Sequence, residues 1–155
     1  MQIKKLVFGN FRNLEDTCLD VSSKEIILTG ENGQGKTNLL EAVYLLCYGS
    51  SFRTQKLNDC IKHGKDSFKT SLVYSDNDGL DTEISLFYDG NTKNIKVDGH
   101  EVRDRKNLIY RLPCIVFCHD DIEFVRGEPE SRRKFFNQIM TMYDVEFFDD
   151  MRHYN

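Results

Sequence analysis

Residues 30 to 37 read GENGQGKT, three glycines within six positions followed by a lysine and a threonine. The spacing Gly30-x-x-x-x-Gly35-Lys36-Thr37 matches a phosphate-binding loop of the Walker A type. Glycines let successive backbone N–H groups turn inward around a phosphate. A helix that starts at the lysine adds its positive end. Lys36 supplies a point charge for β- and γ-phosphate oxygens, and the Thr37 hydroxyl is placed to coordinate Mg²⁺. Asn32 can hydrogen-bond a phosphate oxygen or serve as an ordinary turn asparagine. The candidate nucleotide site is therefore Gly30, Glu31, Asn32, Gly33, Gln34, Gly35, Lys36 and Thr37. A glycine-rich turn with an exposed lysine is the plain alternative.

Other chemistry is harder to place. CIVFCHDD (114–121) mimics a Walker B strand, in which an apolar run leads to an Mg²⁺-supporting aspartate. His119 and Asp120 are candidates to lie near that metal; a polar cap on a buried strand is the competing reading. Arg132, Arg133 and Lys134 form the densest basic cluster, with Arg126 nearby and Arg103, Arg105, Lys106 and Arg111 in another segment. They can meet DNA phosphates or form a solvated helix face. The five cysteines are scattered and form no Cys-x-x-Cys pair, so reduced and mostly buried thiols are expected. Ser50 and Ser51 lack a histidine base in their sequence context, and no catalytic nucleophile is assigned.

The loop needs a scaffold. Glu25–Thr29 carries a continuous apolar core and predicts a short strand buried on both faces. From Lys36 to Cys47, Leu39, Leu40, Val43, Leu46 and Cys47 recur at helical spacing, with Gly49 placed as the stop. Gln2–Phe8 and Thr17–Val21 read as strands, with the turn signal Gly9-Asn10 after the first. Thr70–Tyr74 and Thr82–Tyr88 also read as strands, and Asp89-Gly90-Asn91 followed by Ile95 and Val97 predicts a hairpin. This makes a β-rich insertion. Cys114–Cys118 is a second predicted buried strand. Ser131–Met140 predicts a helix with Phe135, Phe136, Ile139 and Met140 on its apolar side. Val145–Asn155 is helix-like without a capping signal, which reads as a chain cut rather than finished.

Composition bounds the function. The 155 residues are 39% hydrophobic and 30% charged, the range of one soluble globular domain. A formal charge of -4 excludes a uniformly basic nucleic-acid binder but leaves room for a local patch. No stretch has the length and apolarity of a signal peptide or membrane helix, so no membrane partner is expected and the cytoplasm is the default.

Several segments together resemble the RecF family of bacterial recombination mediators, relatives of the Rad50 and SMC head ATPases. They are Asn10-Phe11-Arg12-Asn13-Leu14, GENGQGKTNLLEAVYLL, Ser51-Phe52-Arg53-Thr54 and Gly127-x-Pro129-x-x-Arg132-Arg133-x-Phe135-Phe136. The resemblance implies an α/β P-loop head of the ABC type, whose N-terminal lobe has a mixed β-sheet, the Walker A helix and a β-rich insertion. Residues 1–125 are then mainly the ATP-binding lobe, and 126–155 the start of a helical lobe.

The resemblance also implies ATP and Mg²⁺ as cofactors. DNA at single-strand gaps or junctions, the RecR and RecO proteins and a second copy of the chain are the implied partners. The task is to help load RecA in gap repair and replication restart. Arg12 matches an arginine near the nucleotide in this class, where it can pair and stack; a solvated arginine in a hairpin turn is the alternative. Arg53 lies in a segment that approaches the nucleotide in related heads. The signature motif and a convincing Walker B with its catalytic acid are absent, so weak DNA-dependent ATPase activity belongs to the longer dimer and this chain alone should hydrolyse ATP hardly at all. The alternatives are another head ATPase of the SMC or Rad50 type and a self-contained P-loop kinase or GTPase. The second lacks an acceptor site and a guanine-reading motif.

Overall fold

The computed structural model describes residues 1–21, 23–117, 129–144, 146–147 and 150. Two compact units emerge, Met1–Leu108 and Ile109–Asn155.

The first unit is built on a six-stranded sheet in the order β2-β1-β3-β4-β5-β6, antiparallel at every pair. Its strands are β1 (Gln2–Gly9), β2 (Thr17–Asp20), β3 (Phe68–Ser75), β4 (Asp81–Tyr88), β5 (Lys93–Val97) and β6 (His100–Glu101). Alternation along the strands divides the sheet into two faces. Leu6, Leu72, Ile84 and Val97 lie in one cross-strand row, and Phe8, Thr70, Leu86 and Ile95 in the next. All eight are buried. Helix α1 (Lys36–Tyr48) covers this face and packs on β3 and β4. It buries Ala42, Leu45, Leu46 and Cys47. The β4–β5 hairpin forms as its turn residues predict: the Asp89 carboxylate accepts from the backbone N–H groups of Asn91 and Thr92, and that holds the carboxyl below its ordinary range.

The helix stop at Gly49 is as expected. Gly49 has φ 65°, and its N–H donates to Leu45 O at 2.7 Å. The buried stripe of α1 differs from the expected one, because Leu40 is 50% exposed and Glu41 is fully buried. The Gly9-Asn10 turn is also longer than a tight hairpin: residues 10–16 separate β1 from β2, and Asn10 N–H is held by the Asp16 carboxylate.

Two expected strands do not form. Glu25–Thr29 has no strand partner among the described residues, and Ile26 and Ile27 are 49% and 84% exposed. A doubly buried strand needs neighbours on both edges and layers on both faces, and no described segment supplies them here. Residues 114–117 are likewise without strand structure, with Ile115 and Phe117 exposed, while Cys118 lies outside the described residues.

The connection after α1 contains a 3-10 turn, Leu57–Cys60, which the apolar periodicity does not signal. A seven-residue helix, α2 (Arg105–Arg111), runs across the division between the units and was also without a sequence signal. In the second unit, α3 (Pro129–Tyr143) begins two residues before the expected Ser131, with Pro129 in its first turn. Its expected apolar side is largely open: Phe136 and Met140 are 57% and 44% exposed. The Tyr110 hydroxyl donates to Asp144 O at 3.1 Å within this unit. Among the described residues, no helix is long and apolar enough to cross a membrane.

Candidate nucleotide-binding site

The loop between Thr29 and α1 turns on glycines that no other residue replaces easily. Gly30 and Gly35 have φ of 143° and 98°. A Cβ on Gly35 would also sit 2.8 Å from Leu14 Cδ2, and one on Gly30 would sit 2.5 Å from Gln34 Oε1. The loop is further held by Gln34, whose side-chain oxygen accepts from Glu31 N–H, and by Asn13, whose amide donates to Gly33 O at 2.7 Å.

This loop delivers the chain to the start of α1 with its amide donors available. The N-cap is Gly35, no side chain caps the first turn, and no acidic residue lies in it. These are the conditions under which a helix N-terminus attracts an anion. The Lys36 ammonium folds back over the loop and donates to Gly30 O at 2.6 Å and Glu31 O at 2.7 Å. Glu31, Asn32, Gly33, Gln34 and Thr37 are exposed along the same turn. An exposed hydroxyl next to a fixed cation suits a magnesium nucleotide, because Mg²⁺ keeps most of its waters and takes few protein oxygens. Among the described residues no cluster of histidine, cysteine and carboxylate side chains competes as a metal site.

Arg12 is not the solvated arginine of a hairpin turn. Its Nε donates to Glu41 Oε2 at 3.0 Å, its Nη2 to Glu41 Oε1 at 2.8 Å and its Nη1 to Asp59 O at 2.6 Å. Every guanidinium nitrogen is thus engaged with the protein. The backbone of Arg12 is in the left-handed region, φ 50°, and its N–H donates to Cys60 O at 2.8 Å. Arg12 clamps the β1–β2 connection onto α1 and the 3-10 turn.

Glu41 is the hub of this arrangement. Its side chain is completely buried and also accepts from Arg53 Nη1 at 3.1 Å, from the Ser51 hydroxyl and from the Cys60 thiol at 3.7 Å. Burial pushes the Glu41 carboxyl upward, but the hydrogen bonds from Arg12 and Ser51 and the charges of Arg12 and Arg53 outweigh it and hold the group below its ordinary 4.5. The same hydrogen bond raises the Arg12 guanidinium above its usual range against the opposing effect of burial. Arg53 has a second anchor, the side-chain oxygen of Asn38 at 2.6 Å, and Asn38 in turn donates to Asn13 Oδ1 at 2.6 Å. A continuous polar chain therefore runs from Gly33 through Asn13, Asn38 and Arg53 to Glu41. The Arg53 side chain is 41% exposed, so its guanidinium retains access to solvent beside the loop.

Cys60 shares this pocket. Burial and then the charge of Glu41 push its thiol up to about 12. Cys47 is also buried and Cys114 half-buried, whereas Cys18 on β2 is exposed, so among the described thiols the expected burial holds for Cys47 and Cys60. At pH 8, brief alkylation followed by peptide mapping should label Cys18 and leave Cys60 unmodified until the protein is denatured. Fast labelling of Cys60 in the native protein would contradict the closed pocket.

Arg132 and Arg133 are exposed on α3, with Lys134 in the same helix. Arg103 pairs loosely with Glu101 at 3.7 Å. His119, Asp120, Asp121 and Arg126 lie outside the described residues.

An antiparallel sheet backed by one helix, with a glycine loop opening at that helix's N-terminus above a lysine, defines a P-loop nucleotide-binding lobe. Residues 2–116 match the RecF/RecN/SMC N terminal domain, and the chain belongs to that family. It is 37% identical over 149 residues to the DNA replication and repair protein RecF of Treponema pallidum (strain Nichols), covering 94% of this chain and 42% of that protein. It is 33% identical over 153 residues to the RecF of Ruminiclostridium cellulolyticum, covering 98% of this chain and 41% of that protein. The chain thus spans about two fifths of the curated relatives it matches. Among solved structures it is similar to the recombination mediator protein RecF with ATP, at TM-score 0.89 and 31% identity over 99% of this chain and 42% of that one. The SMC head domain from Thermotoga maritima shares the fold, at TM-score 0.58 over 72% of this chain and 42% of that one.

Proposed function

We propose that this chain is the nucleotide-binding lobe of a RecF-type recombination mediator that binds ATP with Mg²⁺ and works on DNA. The observation that carries the reading is the uncapped N-terminus of α1 behind the Gly30–Gly35 turn, with Lys36 folded over two loop carbonyls. In this reading Lys36 moves from those carbonyls to the β- and γ-phosphate oxygens, and the loop N–H groups hold the phosphate between them. Thr37 provides one hydroxyl ligand for the magnesium. Bound Mg²⁺ would offset the charge gathered on the phosphates. Arg12 acts through Glu41 as a brace rather than as a phosphate contact. Solved RecF with ATP supports the choice of nucleotide.

The longer protein of this type would dimerise around ATP, bind DNA at single-strand gaps or junctions and help load RecA with RecO and RecR in the cytoplasm. Its residues 1–125 would form the ATP-binding lobe and 126–155 begin a helical lobe, with Asp120 a further candidate at the metal. In such an assembly the two subunits would meet across bound ATP, and its hydrolysis would release the dimer. Weak DNA-dependent ATPase activity would belong to that dimer.

Calorimetry with ATP and GTP in the presence of Mg²⁺ tests the reading on this chain. The expected result is ATP-selective binding without steady turnover. A GTP preference, or robust multiple turnover by these 155 residues, would instead indicate a self-contained P-loop enzyme.

A further inference from the structure

The face of the sheet turned away from α1 carries a second set of functional groups that the nucleotide site does not use. Gly9, Lys69, Phe87 and Asn94 occupy one cross-strand row on β1, β3, β4 and β5. Val7, Ser71, Ser85 and Lys96 occupy the next. All of these but Gly9, together with Glu83, line an open cavity of about 510 Å³.

Three features of this face need explaining. Phe87 is 47% exposed on a strand whose neighbours on the same face are Ser85 and Glu83, so the ring contributes nothing to the core. Lys69 lies flat across β1 because Gly9 has no side chain; a Cβ there would sit 3.0 Å from both Lys69 Cγ and Lys69 Cε. Neither Lys69 nor Lys96 is in an ion pair among the described residues. An exposed ring directly opposite one free ammonium and diagonal to another is the combination that unpaired nucleotides recognise. The ring stacks on a base, and the cations meet the phosphates on either side. An open antiparallel sheet with an aromatic on its face is a known platform for such stacking.

We propose that this face binds a short stretch of single-stranded DNA, with a base stacked on Phe87 and its flanking phosphates on Lys69 and Lys96. Ser71, Ser85 and Asn94 supply hydrogen bonds to the strand without fixing its sequence. A duplex is disfavoured because its bases are already stacked on one another and cannot offer a free face to the ring. A peptide strand would use a sheet edge, which this central face is not. The proposal rests on the reading that the protein works on DNA and assigns that contact to the sheet rather than to α3. Among the described residues Glu83 is the one carboxylate lining the cavity, and it opposes the phosphates.

Fluorescence anisotropy with a labelled oligothymidylate, run at several salt concentrations, tests the assignment. Phe87→Ala should weaken binding by about 5- to 100-fold, the range seen for loss of one stacked base. Lys69→Gln with Lys96→Gln should lower the salt slope by about 1.4, roughly 0.7 for each lost phosphate contact. Glu83→Gln should tighten binding, a gain that general loss of structure cannot mimic. All these variants should keep the melting temperature and ATP affinity of the parent, and a duplex of the same length should bind more weakly and ignore Phe87.

If the sheet variants bind as the parent does while Arg132→Gln with Arg133→Gln abolishes binding, the DNA contact lies on α3 and the sheet proposal is wrong. If the unaltered chain binds no oligonucleotide, the sheet proposal also fails, and the nucleotide reading stands or falls on the calorimetry alone.

Discussion

Lys36→Ala is expected to lower the affinity for ATP by about two orders of magnitude without changing the melting temperature. Each charge-assisted hydrogen bond between an ammonium and a phosphate contributes about 1.5 to 3 kcal/mol. The two bonds that Lys36 now makes to Gly30 O and Glu31 O are those it would exchange for phosphate oxygens. The exchange is therefore not a full gain, and a net loss of about 3 kcal/mol, roughly 100-fold, follows from removing the cation. The variant also leaves those carbonyl oxygens facing the incoming phosphates with nothing between them. Stability should stay within about 0.5 kcal/mol because both bonds lie at the surface. Calorimetric titration and a thermal melt on the same sample separate the two effects. Undiminished ATP affinity would mean that the glycine loop is only a turn.

The parts of this site that a sequence can announce are local ones. The glycine spacing and the lysine lie within eight consecutive residues, and Gly49 closes α1 one helix later. The β3, β4 and β5 strands announce themselves through alternation, because one face is buried and the other is not. Glu25–Thr29 and Cys114–Phe117 mislead for the opposite reason. An unbroken apolar run looks the same whether a sheet closes around it or not, and Ile27 at 84% and Phe117 at 70% exposure show that none of the described segments does so.

Glu41 was invisible in another way. Its partners Arg12, Ser51, Arg53 and Cys60 come from three separate stretches of chain, and no spacing rule joins them. One signal was present. Glu41 shares a helical face with Leu45 and Tyr48, so a carboxylate on a buried stripe called for a cation. Apolar spacing alone picks out Leu39, Leu40, Val43, Leu46 and Cys47, a set that leaves Glu41 out.

Removal of that carboxylate should be strongly destabilising to the first unit. Glu41→Ala leaves Arg12, with a side chain only 19% exposed, next to the vacated space and without its bidentate partner. Breaking a buried pair from one side costs about 3 to 5 kcal/mol, most of it from the charge left behind. For a chain of this size that corresponds to a fall of roughly 10 °C in melting temperature. Arg53 adds little to the loss, because its exposed guanidinium can turn to water.

The sign of the pH dependence follows from the lowered carboxyl. The stabilisation from Glu41 is fully present above its ordinary value of 4.5. It is lost as the pH falls through the lower folded value, where protonation removes the acceptor for both arginines. The difference in melting temperature between parent and Glu41→Ala should therefore be constant near neutrality and shrink only in the acid range below pH 4. Adding Arg12→Leu to Glu41→Ala should recover a large part of the loss, since an apolar pair can replace a buried ion pair at little cost whereas a lone charge cannot remain. Strict additivity of the two substitutions would show that Arg12 and Glu41 are not coupled, and would remove Glu41 as the brace of the nucleotide loop.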